Sequence, residues 1–240
     1  MAWRSLLVLA ALTLAGCSTS TTKDGNSATA AEPNIEINLW SCLIAEADAE
    51  VPAALVPPQP YGTGPNPVKD VLEHHAVSCA GGKIGNKTLG AVGYSIQGLF
   101  IDPPNATNDV WAYAAECVSS PELAPWFAAQ GLPCSEGTIQ VTYDGTMISS
   151  EVRGTGTYTT PARPFVPIIA GQSYTLRQVF GPQEHPPVLV ESLQNLTVGN
   201  AMPHTSLAQG GYLGGILPVL EGVASPYKDA NITLAHDWLP

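Results

Sequence analysis

Glu73, His74 and His75 stand side by side, a carboxylate and two imidazoles of the kind that hold metals or move protons. Adjacent side chains point apart on a strand or a helix, unlike two histidines spaced one turn apart on a zinc-binding helix. The pair is therefore expected in a solvated loop, and no metal site is expected. His185, His204 and His236 are isolated, each read as a surface or hydrogen-bonded core residue. Arg177 lies in the extended run Tyr174 to Phe180, on the face of Thr175 and Val179. Turned into a curled sheet it would clamp an anion; turned to water it would do no chemistry, and the pattern leaves both open. Glu191 carries the same ambiguity. Gly-x-Ser-x-Gly, a dinucleotide glycine fingerprint and a Walker lysine loop are all missing, so no cofactor is called for.

The five cysteines divide into one and four. Residues 1–16 carry a single positive charge, Arg4, and then an apolar run from Leu6 to Leu14 that is too short for a stable bilayer span. Leu14-Ala15-Gly16-Cys17 resembles the processing box of bacterial lipoproteins, whose cysteine is acylated. The expected product is exported and held at the cell envelope by lipid on Cys17; cleavage as an ordinary secretory peptide is the alternative. Residues 17–36 read as the anchor and a flexible tether. The remaining Cys42, Cys79, Cys117 and Cys134 suit two disulfides in an exported chain. Of three pairings, Cys42 with Cys79 and Cys117 with Cys134 is favoured.

Several elements would have to position these residues. Leu39 to Val56, rich in alanine and acid, reads as a short helix ending before Pro57-Pro58. Leu89 to Ile101 and Val110 to Val118 read as neighbouring strands. Ser120-Pro121-Glu122 starts a helix that Gly131 would cap, with Pro125 keeping it short. Thr138 to Val152, broken by Asp144-Gly145, is a hairpin, and Ser173 to Phe180 pairs with Pro187 to Val198. Ala230 to Ala235 is a late strand.

Composition bounds the class. Of 240 residues, 45% are hydrophobic and only 12% charged, so a core can form and an acidic disordered chain is excluded. Twenty acidic residues against nine lysines and arginines give a net charge of -11, which disfavours nucleic acid. Contact with a membrane is expected through the lipid alone. With 22 prolines and 23 glycines in no period, many turns and a β-rich single domain over residues 37–240 follow.

The last third of the chain resembles the acetoacetate decarboxylase superfamily. Tyr174-Thr-Leu-Arg177, the turn with Pro186-Pro187, and Glu191 to Thr197 look like that family's strand, turn and strand. Leu217-Pro-Val-Leu-Glu-Gly-Val-Ala-Ser225, Ala230 to Leu234 and Asp237-Trp-Leu239 are similar to its closing segments, and Val51-Pro-Ala-Ala-Leu55 to an early one. The resemblance implies a mainly β (α+β) fold, a curved antiparallel sheet closed into a conical barrel with a few short helices around a small cavity. It also implies a lysine that forms a Schiff base with a β-keto acid, its pKa depressed by a second lysine. The matching turn reads Gly131-Leu-Pro-Cys134-Ser135, so both lysines are missing, and Tyr94 is followed by Ser95 where an acid is expected. Cys134 then stands at the nucleophile's place, as half of a disulfide or as a thiol. Tyr94, Ser135, Glu136, Arg177 and Glu191 are the expected ligand-facing residues. Two functions follow: a barrel binding a small organic acid or apolar ligand, or a carbon-carbon lyase acting on a β-keto acid without lysine.

Overall fold

The computed structural model describes residues 35–50, 71–101, 109–182 and 185–239. The expected signal peptide, Cys17, nearly all of the tether and the Val51-Pro segment lie outside them. The first half contains β1 (Ile37–Glu50), β2 (Val71–Ile84), β3 (Lys87–Leu89), β4 (Val92–Phe100), β5 (Val110–Ser119) and the helix α1 (Ala124–Ala129). Next come β6 (Ser135–Glu136), β7 (Thr138–Tyr143), β8 (Met147–Arg153) and β9 (Gly156–Pro164). The chain ends with β10 (Pro167–Phe180), β11 (Pro187–Gly199), β12 (Met202–Gly210), the helix α2 (Gly211–Ile216) and β13 (Val219–Trp238). Among the described residues no helix is long and apolar enough to cross a membrane.

Pairing runs β1-β2-β4-β5-β10-β11-β13, and β13 pairs in turn with β1, so these seven strands form a hydrogen-bonded ring. The ring is not wholly antiparallel as expected. β10 runs parallel to β5, because the intervening hairpin strands leave the ring and return on the same side. β13 makes that departure feasible by forking: Tyr227 to Trp238 pairs with β11, whereas Val219 to Ala224 pairs with β12. From β12 the sheet continues through β9, β8 and β7 and folds back over β1, β2 and β4. Ala45, Leu72, Ala76 and Leu99 of the ring pack there with Val141, Val152 and Tyr158 of the second layer.

The ring interior holds the larger apolar cluster, with Leu39, Ile44, Val77, Ile96, Leu176, Leu189, Leu193 and Ile232 under α1 residues Trp126 and Phe127. Each such aliphatic side chain contributes about 1.5–3 kcal/mol on burial. Strands β2 and β4 are thus covered on both faces, which explains the unbroken burial of β4.

The segment read as a helix from Leu39 is the strand β1. Ala45-Glu46-Ala47-Asp48-Ala49 alternates small apolar with acidic residues, and the alternation places the alanines against the second layer and the acids inside. Pairing along both edges overrides the helix propensity of Ala and Glu. The helix expected from Ser120 begins only at Ala124, with Pro125 in its first turn, because the Ser120 carbonyl accepts from Leu123 and Ala124 in a preceding turn. The β7–β8 hairpin forms as read: Gly145 takes φ 100°, and Asp144 Oδ1 accepts from the Thr146 and Met147 amides at 2.8 and 2.7 Å. Strands β2, β9 and β12 are not anticipated by the sequence pattern.

Cys42 lies at disulfide distance from Cys79, and Cys117 from Cys134, the favoured pairing. The first joins neighbouring strands of the ring; the second ties the end of the α1 turn to β5. Thiol titration of the unreduced protein should find none of these four reactive. Replacing Cys117 and Cys134 together by serine opens a link 17 residues long and should lower unfolding stability in urea by about 3 kcal/mol.

Candidate functional site

Five ionisable side chains converge inside the ring from three strands. Glu46 and Asp48 come from β1, Glu73 and His75 from β2, and Glu191 from β11. Register explains the convergence: Glu46 is directly opposite His75, and Asp48 opposite Glu73, so all four share one face. Glu191 reaches them across the ring. Its Oε1 lies 3.0 Å from His75 Nε2 and also accepts a short hydrogen bond from the Tyr94 hydroxyl of β4. On the other side of the imidazole, Nδ1 is 3.9 Å from Glu73 Oε1 and makes no hydrogen bond. Glu191 Oε2 and Asp48 Oδ1 are likewise buried without a partner. Tyr174 of β10 approaches Glu46 at 3.5 Å, and the Tyr227 hydroxyl donates to the same carboxylate.

Glu73, His75, Tyr94 and Glu191 are 2% exposed or less, whereas Glu46 and Asp48 are half-buried and mark the side open to solvent. Charge cannot be diluted by water at such depth, so the groups titrate together. Burial alone would lower the His75 pKa, but the charge and hydrogen bond of Glu191, then Glu73 and Glu46, carry it to about 9. Burial raises Glu73 well above the carboxylate range, and neighbouring Glu46 adds to this. Glu46 itself is raised by burial against the opposing pull of His75. Asp48 moves to about 7 through burial and then Glu46. Tyr94 is pushed up by burial and by Glu191, so its phenol stays a donor. The cluster thus holds protons on His75 and favours them on Glu46, Asp48 and Glu73.

His74 and His75 are not in a solvated loop. They lie in β2, 1% and 0% exposed, and point to opposite faces as adjacency requires. Two covered sheet faces give each histidine a buried environment of its own, so the polar pair does not need water. His74 sits between the layers, 3.1 Å from Gln97 Nε2 and tilted against Tyr158, and burial lowers its pKa to about 3, with His75 and His204 adding to the effect. It is a neutral packing residue.

Of the ligand-facing residues read from sequence, the structure brings Tyr94 and Glu191 together and leaves the others apart. Arg177 is part-exposed and pairs with Asp109 at 2.6 Å and Asp237 at 3.4 Å over the Trp111 ring. Ser135 donates to the Cys117 carbonyl, Glu136 is exposed, and Cys134 is paired with Cys117. Glu46, Asp48, Tyr174 and Tyr227 are not singled out by the sequence, and Glu73 and His75, expected in a loop, belong to the site. One signal was present, since Glu73 and His75 at spacing i, i+2 share a face once the segment is read as a strand.

No protein-family model and no curated protein sequence matches this chain. Solved structures do match, and they define the architecture as the acetoacetate decarboxylase fold. An acetoacetate decarboxylase superposes with a TM-score of 0.57 at 12% identity, covering 86% of this chain and 90% of the other. That from Legionella pneumophila gives 0.57 at 10% identity over 93% and 98%. The enduracididine biosynthesis enzyme MppR, in complex with pyruvate, gives 0.55 at 11% over 90% and 93%. Among the described residues, the lysines Lys83 and Lys87 are exposed and Lys228 lies over the Tyr143 and Phe165 rings, so none enters the ring interior.

Glu191→Ala strands a buried charged imidazole and should cost about 3–5 kcal/mol of unfolding free energy. Arg177→Ala removes ion pairs at a wet surface and should cost about 0–1 kcal/mol. Urea unfolding of both variants checks the order, and the reverse order would remove Glu191 from the centre of the site.

Proposed function

We propose that this chain is an exported, lipid-anchored protein that binds a small oxo compound inside an acetoacetate decarboxylase-fold ring, without forming a Schiff base. The observation that carries this reading is the Tyr94-Glu191-His75 constellation, fully buried inside the ring above a large apolar cluster and with no described lysine beside it. A core serves stability better without such groups, since desolvating carboxylates costs more than their pairing returns unless every atom is satisfied. Unpartnered atoms on His75, Glu191 and Asp48 are available to a ligand. A neighbour of the same fold, MppR, is described in complex with pyruvate, which supports the size and class of ligand.

The interior differs from a simple acid pocket. Arg177, the expected anion clamp, is engaged outside with Asp109 and Asp237. A ligand would therefore meet hydrogen-bonding carboxyl, phenol and imidazole groups, and an anionic oxoacid would need a cation beside them. Export and anchoring rest on the leader sequence ending at Cys17, and the paired cysteines suit an oxidising compartment.

Lysine-independent decarboxylation of a β-keto acid is the second reading. It is favoured by the titrating cluster, whose raised carboxyl pKa values keep proton donors inside the ring near neutral pH.

Pyruvate and acetoacetate added to the full chain should shift the NMR signals of His75 and Tyr94, while borohydride leaves the intact mass unchanged. A reduced adduct would overturn the Schiff-base-free reading, and unmoved His75 and Tyr94 signals with both compounds would overturn binding at this site. Carbon dioxide release from acetoacetate, lost in Glu73→Gln, would decide for the second reading over simple binding.

A further inference from the structure

We propose that Glu46, Glu73 and His75 form a divalent metal site, with His75 Nδ1 and one oxygen from each carboxylate as ligands. One donor atom from each of the three residues lies within 4.8 Å of the other two, and the His75 Nδ1 to Glu73 Oε1 separation is 3.9 Å. Ligands bound at about 2.0–2.2 Å to one ion stand roughly 3–4 Å apart, so side-chain adjustments of under an ångström would complete the site.

The case does not rest on the acidic cluster alone. His75 is fully buried, and its Nδ1 has no hydrogen-bond partner while facing Glu73. Its other nitrogen is held by Glu191, and Glu191 is held in turn by Tyr94. This is the outer-shell arrangement that orients a metal-bound histidine: the distal N–H donates to a carboxylate, which fixes the ring, and the metal ion takes the place of the Nδ1 proton, released to solvent on binding. Asp48 Oδ1, a further buried acceptor without a partner, borders the same carboxylates. Glu46 and Asp48 are half-buried and offer the entry side.

One imidazole and hard oxygen donors suit manganese, iron or zinc as the divalent ion better than copper(I), which prefers sulfur. The charge balance agrees, because a divalent cation offsets carboxylates that a single imidazolium cannot. A cation at this place would polarise the oxygen of a bound oxo compound and attract its carboxylate, which are the roles left unfilled by the missing lysine and the distant Arg177. That role rests on the ligand proposed above; the metal site itself does not.

The test uses the full chain stripped with chelator and titrated with Mn2+, followed by electron paramagnetic resonance of free Mn2+ and by calorimetry. One Mn2+ per chain is expected. Glu46→Gln and Glu73→Gln should each weaken binding at least tenfold, and Glu191→Gln, which alters only the support of His75, by about 10–100-fold. Glu136→Gln, on the exposed β6, should change nothing. Circular dichroism of each variant identifies those that remain folded, and Glu46→Gln, half-buried, keeps the test open if the deeper ones unfold. Absence of stoichiometric binding by the folded wild-type chain to both Mn2+ and Zn2+ would overturn the site, as would full affinity in folded Glu46→Gln. Pyruvate should then alter the spectrum of bound Mn2+. Stoichiometric metal with an unchanged spectrum would sink the oxo-ligand reading and leave the metal site standing.

Discussion

β1 is hydrogen-bonded along both edges, to β2 on one side and β13 on the other, and the remainder of the structure depends on that double pairing. It closes seven strands into a ring and so creates an inside. It also forces β1 to bury both faces, one against the ring interior and one against the β7–β9 layer. A strand with two buried faces would normally be apolar throughout. β1 alternates instead, with alanines outward where the layers meet and acids inward. Close approach matters too: a side chain on Gly222 would place its Cβ 1.7 Å from the Asp48 carbonyl oxygen, so glycine is required where β13 crosses the acidic stretch.

Closure sets the electrostatic problem that the interior must solve. Glu46, Asp48, Glu73 and Glu191 share a volume with one imidazole, and water reaches only the first two. Protons are one answer, as the raised pKa values of Glu46, Asp48 and Glu73 indicate. Hydrogen bonding is another, with Tyr94, Tyr174 and Tyr227 directing phenols at Glu191 and Glu46. Neither answer reaches His75 Nδ1 or Glu191 Oε2. A purely structural core would remove such atoms by substitution, at a gain in stability. Their retention is a physical sign that this interior is shaped for something besides folding.

Much of the architecture was legible in the sequence, and the site was largely hidden for a specific reason. Asp144-Gly145 between alternating residues specifies its hairpin locally, and the chain endings around Leu217 and Asp237 pointed to the fold. An even cysteine count pointed to two disulfides, and the favoured one of three pairings is the one found at disulfide distance. The site, by contrast, depends on which face of β1 and β2 is inside, and that depends on reading β1 as a strand. Alanine and glutamate favour helices in isolation, so Glu46 and Asp48 vanished into a presumed helix and His75 into a presumed loop. Arg177 misled in the opposite direction: its own strand was read correctly, but the inward face of β10 carries Leu176 and Gln178 instead. Alternation finds faces, and only tertiary closure says which is inside.

Among the described residues, the connection that carries Cys134 and the buried cluster lie on different elements. Cys134 sits on the connection between α1 and β6, outside the ring strands, and its tie to Cys117 fixes that connection. The cluster is carried by β1, β2, β4 and β11, whose positions are set by closure. A change at residue 134 therefore leaves the strands that carry the cluster in place. The solved structures at 8–12% identity share the scaffold, not the residues. In such a scaffold chemistry follows from what the inward positions hold. Among the described residues, the inward positions hold carboxylates, one histidine and three phenols, and no lysine.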